Sequence, residues 1–241
     1  MSSDPKNASL IASMAADPEI QRLKRELFDR MCRYRYSYNF HWLGRPIIQF
    51  PQDIVAVQEL LWDLQPDLVV ETGIAHGGSL MLSASILELL GGAGHVIGID
   101  VDIRPHNRAA IESHPMMRRL TLIEGSSLDP DVVKRVYDFA GGKTRPLVIL
   151  DSNHSHEHVL KELELYSPLV HEGSYVVVMD TVVEDMPPDF FPDRPWGRGN
   201  SPKTAVHAFL SQNDRFEVDH EIENKLLITV APHGYLRCIK G

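Results

Sequence analysis

The chain has 241 residues, enough for one large α/β domain with an appendage and too few for two full domains. Apolar residues make up 43% and charged residues 24%, and the formal charge of -9 argues against nucleic acid or an anionic membrane as the main partner. The two cysteines, Cys32 and Cys238, give neither a disulfide framework nor a thiolate zinc site.

Residues 1–16 are small and polar and are expected to fray. They lack a basic segment followed by a long apolar one, so no signal peptide is expected, and no apolar run reaches the roughly 18 residues that span a bilayer. Cytoplasm is the expected location. Residues 17–36 read as a helix: Asp17 can cap, Pro18 fits the first turn, and Ile20, Leu23, Leu27 and Met31 recur at helical spacing. An irregular aromatic connector follows, and a second helix opens at Pro51 with Ile54, Val57, Leu61 and Leu64 on one face. Residues 1–64 form a helical cap on this reading, and residues 65–241 the main domain.

From there the pattern is regular. Apolar runs at 68–70, 95–99, 119–123, 147–150 and 174–179 alternate with helix-period segments at 78–90, about 104–113, 129–140 and 155–166. Continuous apolar strands between helices predict a parallel sheet covered on both faces. "RFEVDHEI" and "KLLITVAPHGYLRCIK" read as strands joined by a short turn, so the sheet is expected to end in an antiparallel hairpin. Residues 181–201, with four prolines and no periodicity, form a loop long enough to act as a lid. A helix starts after it, capped by Ser201 with Pro202 in its first turn.

The stretch "DLVVETGIAHGGSL" places Gly73, Ala75 and Gly78 in the register of G-x-G-x-x-G, between the first strand and its helix. Such a turn lies at the carboxyl edge of the sheet, where ligands bind. Asp100 ends the second strand, 22 residues after Gly78, where an acid can hold ribose hydroxyls. A tight turn with no ligand would look similar. A phosphate loop is excluded, because Ser79 stands where lysine is required. Glu71 would repel a pyrophosphate but suits a cationic ligand, which favours S-adenosylmethionine over NAD. Ser126 and Ser127 can border the adenine, although Ser127 or Asp129 can equally cap the next helix.

The fourth and fifth strands both end in aspartate, Asp151 and Asp180. If the strands are neighbours, the carboxylates stand roughly 5 Å apart and call for a proton or a cation between them. Hard oxygen ligands favour Mg²⁺. His154 lies three residues past Asp151 and is the candidate general base, with a packing or capping role as its alternative. His154 and His158 could instead make half a zinc site, but no third soft ligand is evident.

With these residues placed, the chain resembles the cephalosporin hydroxylase / rhamnosyl O-methyltransferase group of class I S-adenosylmethionine-dependent methyltransferases. The resemblance covers about residues 34–235, through "WLGRPI", "ETGIAHGGSL", "GIDVDIRPHNR", "EGSSLD", "LDSNHSHEHVLKELELYSPLV", "SYVVVMDT" and "GRGNSPKTAVHAFL". It implies a Rossmann-like, seven-stranded, mostly parallel sheet and Mg²⁺-assisted methyl transfer to a hydroxyl of a sugar or natural product, in a homo-oligomer. The cofactor set becomes Glu71, Gly73, Ala75, Gly78, Ser79, Asp100, Ser126, Ser127 and Asp151. The metal set becomes Asp151, Asp180 and Thr181, with Met179 and Thr181 where some relatives carry a further acid or amide. Glu184 or Asp185 can complete it from the loop. No iron-binding facial triad is evident, so the hydroxylase name does not imply oxygen chemistry. Trp196 is placed to stack on a sugar and Arg198 to meet an acidic group, with Tyr36, Tyr38, His41 and Trp42 closing over the acceptor or simply packing the cap. An NAD-dependent oxidoreductase or epimerase, and a relative that binds S-adenosylmethionine without turnover, are the rival readings.

Overall fold

The computed structural model describes residues 5–241, so the fraying expected of residues 1–4 lies outside the described residues. Residues 5–16 do not fray: they form helix α1 (Pro5–Ala16), rich in alanine and packed against later parts of the chain. Helix α2 (Pro18–Arg33) follows, and the side chain of Asp17 accepts from the amides of Glu19 and Ile20 as its cap. The connector contains an antiparallel pair that the sequence reading treated as irregular, β1 (Phe40–Trp42) and β2 (Arg45–Ile47). Helix α3 (Pro51–Leu64) completes the cap.

The alternating portion runs β3 (Leu68–Thr72), α4 (Gly78–Leu90), β4 (His95–Asp100), α5 (Pro105–Glu112), β5 (Leu120–Glu124), α6 (Pro130–Ala140), β6 (Pro146–Leu150), α7 (His156–Tyr166) and β7 (Tyr175–Val178). Proline in the first turn opens α3, α5 and α6, where its missing N–H costs nothing. The chain ends with α8 (Pro202–Leu210), β8 (Phe216–Val218), α9 (His220–Leu226) and β9 (Tyr235–Cys238). The seven-stranded sheet has the order β5-β4-β3-β6-β7-β9-β8. β3 to β7 are parallel, and β9 lies antiparallel to both β7 and β8.

The expected hairpin is present as a pairing but not as a short turn. Asp219 accepts from the amides of Glu221 and Ile222 and turns the chain into α9 before β9 begins. Adjacent strand residues point to opposite faces. Val69 therefore joins the core under α3 and α4, while Leu68 and Val70 join the core under α6, α7 and α8. The first of these cores also takes in Phe28, Ile47, Phe50, Val57 and Leu61, so the helical cap is packed directly onto the sheet. Among the described residues no helix is long and apolar enough to cross a membrane.

Candidate active site

β3 is buried along its whole length and delivers Glu71 and Thr72 to the carboxyl edge. From β3 the chain steps outward to β4 and β5, then returns to β6 on the other side of β3. That reversal opens a crevice between β3 and β6. Gly73 sits there with φ +88°, and a Cβ on it would stand 2.1 Å from the Asp151 carbonyl oxygen. Only glycine lets these two strand ends draw so close. Gly78, which also lines the cavity at this turn, serves a second close contact. A Cβ there would lie 2.3 Å from the Pro46 carbonyl oxygen, so its bareness lets the segment after β1 lie on the start of α4.

The turn is fixed by hydrogen bonds from both sides. Asp100 Oδ2 accepts from the amides of Ile74 (2.8 Å) and Ala75 (3.3 Å), and its Oδ1 accepts from Asp102 (3.1 Å). The Asn107 amide donates to the Ala75 carbonyl, and Arg45 donates twice to the His76 carbonyl. Asp100 thus shapes the turn and also lines a cavity of about 140 Å³. Gly73, Ala75, Gly78 and Ser79 form one wall of this cavity, Asp151 lies beside them, and Pro46 to Gln49 form the roof.

One buried oxygen in the lining of this cavity and one behind that lining have no protein partner. Gln49 is 4% exposed, lines the roof, and its Oε1 accepts nothing. Glu71 is 1% exposed and lies behind Ser79, whose hydroxyl donates to Glu71 Oε1, while Oε2 is unpaired. Burial pushes the Glu71 carboxyl up to about 7 against the lowering effect of Ser79. Leaving such a group unsatisfied costs about 1–3 kcal/mol, and a bound donor or cation would remove that cost. Gln49 carries no signal in the sequence. An uncharged amide in a connector has no periodic signal, and only the folded roof brings it to the glycine turn.

β6 and β7 are neighbours in register, so Asp151 and Asp180 leave the sheet side by side. Asp180 takes a left-handed backbone, φ 54°, which aspartate tolerates better than most residues. One ligand atom from each of Asp151, His154 and Asp180 lies within 4.8 Å of the others. His154 Nε2 is 3.3 Å from Asp180 Oδ2, and its ring meets Trp196 edge-on at 5.0 Å. Burial, then Asp180, Glu71, Glu162 and Asp53, holds the Asp151 carboxyl well above the ordinary carboxylate range. The charges bearing on Asp151 are thus all acidic, and a divalent cation at this point would relieve them.

Several other expected residues are engaged elsewhere. Thr181 is fully buried and its hydroxyl donates to the Pro232 carbonyl at 2.7 Å, so it does not face the two aspartates. Glu184 accepts from the Gly199 amide and the Ser201 hydroxyl, and Asp185 pairs with Lys203 at 2.7 Å. They tie the 181–201 segment to α8 and leave Asp151, Asp180 and the neighbouring His154 as the candidate metal set. Ser127 Oγ contacts His158 at 3.1 Å, and Ser126 Oγ accepts from the Leu128 amide, while Asp129 caps α6. His158 also contacts Ser152 and Glu162, away from His154, so these two histidines make no joint site. Tyr36 packs on Phe40 and Phe50, and Trp42 Nε1 donates to Ser85, which gives these connector aromatics a packing role.

The family described as Rhamnosyl O-methyltransferase/CmcI matches residues 34–239. The chain belongs to this family. The rhamnosyl O-methyltransferase of Mycobacterium tuberculosis is 35% identical over 192 residues, covering 76% of this chain and 72% of that one. Its counterpart from Mycobacterium leprae is 30% identical over 201 residues, covering 81% of each. A structure of CmcI with Mg and SAM superposes with a TM-score of 0.57 at 20% identity, over 84% of this chain and 77% of that chain. At that identity the likeness is one of fold. As a member of the Rhamnosyl O-methyltransferase/CmcI family on a class I methyltransferase fold, the chain is a methyltransferase, and the NAD-dependent reading falls away.

Proposed function

We propose that the chain transfers a methyl group from S-adenosylmethionine to a hydroxyl of a sugar or natural product, with Mg²⁺ held by Asp151 and Asp180. The observation that carries this is the convergence of Asp151, His154 and Asp180 beside the glycine turn at the sheet reversal. The relatives are named for transfer to a rhamnosyl group, which makes a deoxysugar hydroxyl the first acceptor to test. The donor set fits a hard divalent cation: two carboxylates repel one another, and the charges weighing on Asp151 are all acidic. Bound there, Mg²⁺ would orient the acceptor hydroxyl and lower its pKa.

The chain's own residues do the rest. Gly73, Ala75 and Ser79 form the wall against which the methyl donor lies, and Asp100 offers lone pairs to its ribose. Glu71 and Gln49 supply the two unpaired oxygens for its cationic amino-acid end. Asp180 and the edge of Trp196 hold the His154 ring, which is proposed to accept the hydroxyl proton. A role for His154 as a third metal ligand is the second reading, favoured by its place within 4.8 Å of both aspartates. Assembly as a homo-oligomer in the cytoplasm is also proposed. Exposed Leu10 on α1 and Leu23 and Leu27 on α2 support the assembly, and sedimentation measures it.

The test combines calorimetry and turnover with a rhamnosyl acceptor. Asp180→Asn is expected to lower methyl transfer on the order of a hundredfold or more and to weaken Mg²⁺ binding, with S-adenosylmethionine still bound. Wild-type chain that binds the donor but methylates no sugar hydroxyl would point to the silent relative. His154→Ala separates its two roles: a base leaves Mg²⁺ affinity unchanged and lowers kcat, whereas a ligand lowers both.

A further inference from the structure

A second group of side chains that could ligate a metal joins α9 to the turn before β9. His220 and Glu223 are one turn apart on α9 and share a face, with His220 Nδ1 3.6 Å from Glu223 Oε2. His233 comes from the turn before β9, where its amide donates to the same carboxylate at 3.3 Å and Gly234 N closes onto the Ala231 carbonyl. One ligand atom of each of His220, Glu223 and His233 lies within 4.8 Å of the others. His207 on α8 adds a third imidazole, its Nε2 3.1 Å from His233 Nδ1. Two nitrogens bound tetrahedrally to one zinc ion at about 2.0–2.1 Å each sit roughly 3.3 Å apart, so both measured pairs are near ligand spacing. Lys203, close to His233, has its ammonium paired with Asp185 at 2.7 Å.

We infer that His220, Glu223 and His233, with His207 beside them, form a second divalent-metal site whose ligands select Zn²⁺. Imidazole nitrogens with one carboxylate suit zinc, whereas the Asp151–Asp180 pair offers the oxygen ligands that suit magnesium. Three protein ligands hold the ion and leave a fourth position for water, with His207 outside that set and against the His233 ring. The site ties α9 and the 231–234 turn together, and α8 joins through the contact of His207 with His233. Pro232 in that turn accepts from Thr181, the residue after Asp180, so an ion here braces the segment that presents the catalytic aspartate. Neither these three ligands nor His207 is among the residues proposed for methyl transfer, so the inference stands apart from that proposal.

The experiment uses the full chain, stripped with a chelator and carrying Asp180→Asn to silence the other cluster. Zinc chloride is titrated calorimetrically in excess Mg²⁺, and bound metal is counted by mass spectrometry. One Zn²⁺ per chain with a rise in Tm is expected. Both are expected to be lost in His220→Ala, which alters a side chain exposed on the surface, and in the pair His207→Ala with Glu223→Gln, with circular dichroism confirming that each variant is folded. Absence of zinc uptake, or uptake that His220→Ala and the paired variant leave unchanged, overturns the inference.

Discussion

Glu71 and Gln49 illustrate how differently two candidate binding residues can show themselves. A carboxylate closing an apolar strand is conspicuous in the sequence, because an acid rarely ends up fully buried without a partner. Gln49 is silent there, since a neutral amide in a connector fits packing, turn or surface equally well. The structure gives both the same property, a buried oxygen with nothing to accept from. For Glu71 the consequence is a pH dependence with a definite sign. Burial raises its carboxyl to about 7, and a nearby sulfonium or ammonium favours the ionised form. Donor binding therefore releases a proton below about pH 7, and S-adenosylmethionine affinity is expected to rise with pH up to that point. Glu71→Gln should flatten the profile and weaken binding about tenfold, a loss of about 1.4 kcal/mol. Gln49→Ala should weaken binding without changing the profile. Calorimetry across the pH range reads both effects, and a wild-type affinity indifferent to pH would remove Glu71 from the binding site.

The helices and strands were legible where burial and period agree. The parallel strands are covered on both faces, so each is a continuous apolar run, and the order of runs and helices follows directly. α9 was not legible as a helix, because seven residues are too few to show a helical period and the flanking runs look like strands. Its signal was local: Asp219 in the cap position with Glu221 and Glu223 in the first turn. The β1–β2 pair escaped for a similar reason, three residues per strand being below any detectable alternation. Ser201, in contrast, was readable as a cap, and the structure adds that it is fully buried and also donates to Glu184. Ser201→Ala is therefore expected to cost about 1–2 kcal/mol, at the upper end for a cap, and to loosen the 181–201 segment from α8. Chemical denaturation measures the first effect and proteolysis of the segment the second. A loss below about 0.5 kcal/mol would mean that the capping box carries no load in the folded chain.

Carboxylates concentrated at one edge of the sheet set the pH response of the entire fold. Glu71 rises to about 7, and Asp53 to about 6, where burial outweighs the bonds from Thr229, Val230 and Tyr235. Asp151 is raised by burial and by its acidic neighbours. Each of these groups keeps its proton in the folded chain over a range where the unfolded chain has already lost it. Between about pH 4.5 and about pH 7 the folded state binds more protons, so its stability falls as pH rises. For Glu71 alone the shift corresponds to on the order of 3 kcal/mol across that window. Asp67 works in the opposite sense. Burial there is outweighed by bonds from Thr144 and Arg145, and the stability it lends is lost only as acid protonates it, below the window. The chelator-treated chain is therefore expected to melt at progressively lower temperature from about pH 5 to about pH 8. Mg²⁺ and S-adenosylmethionine favour the ionised acids, so adding both should reduce the decline, most strongly at the alkaline end. Glu71→Gln should remove part of the decline in the free chain and leave the metal-dependent part intact. Scanning calorimetry on the wild type and this variant, with and without both ligands, separates the two contributions. A melting temperature that rises through the same window in the free chain would mean that these carboxylates are already paired with cations in the fold, and the edge would then have no vacancy for a metal or a positively charged methyl donor.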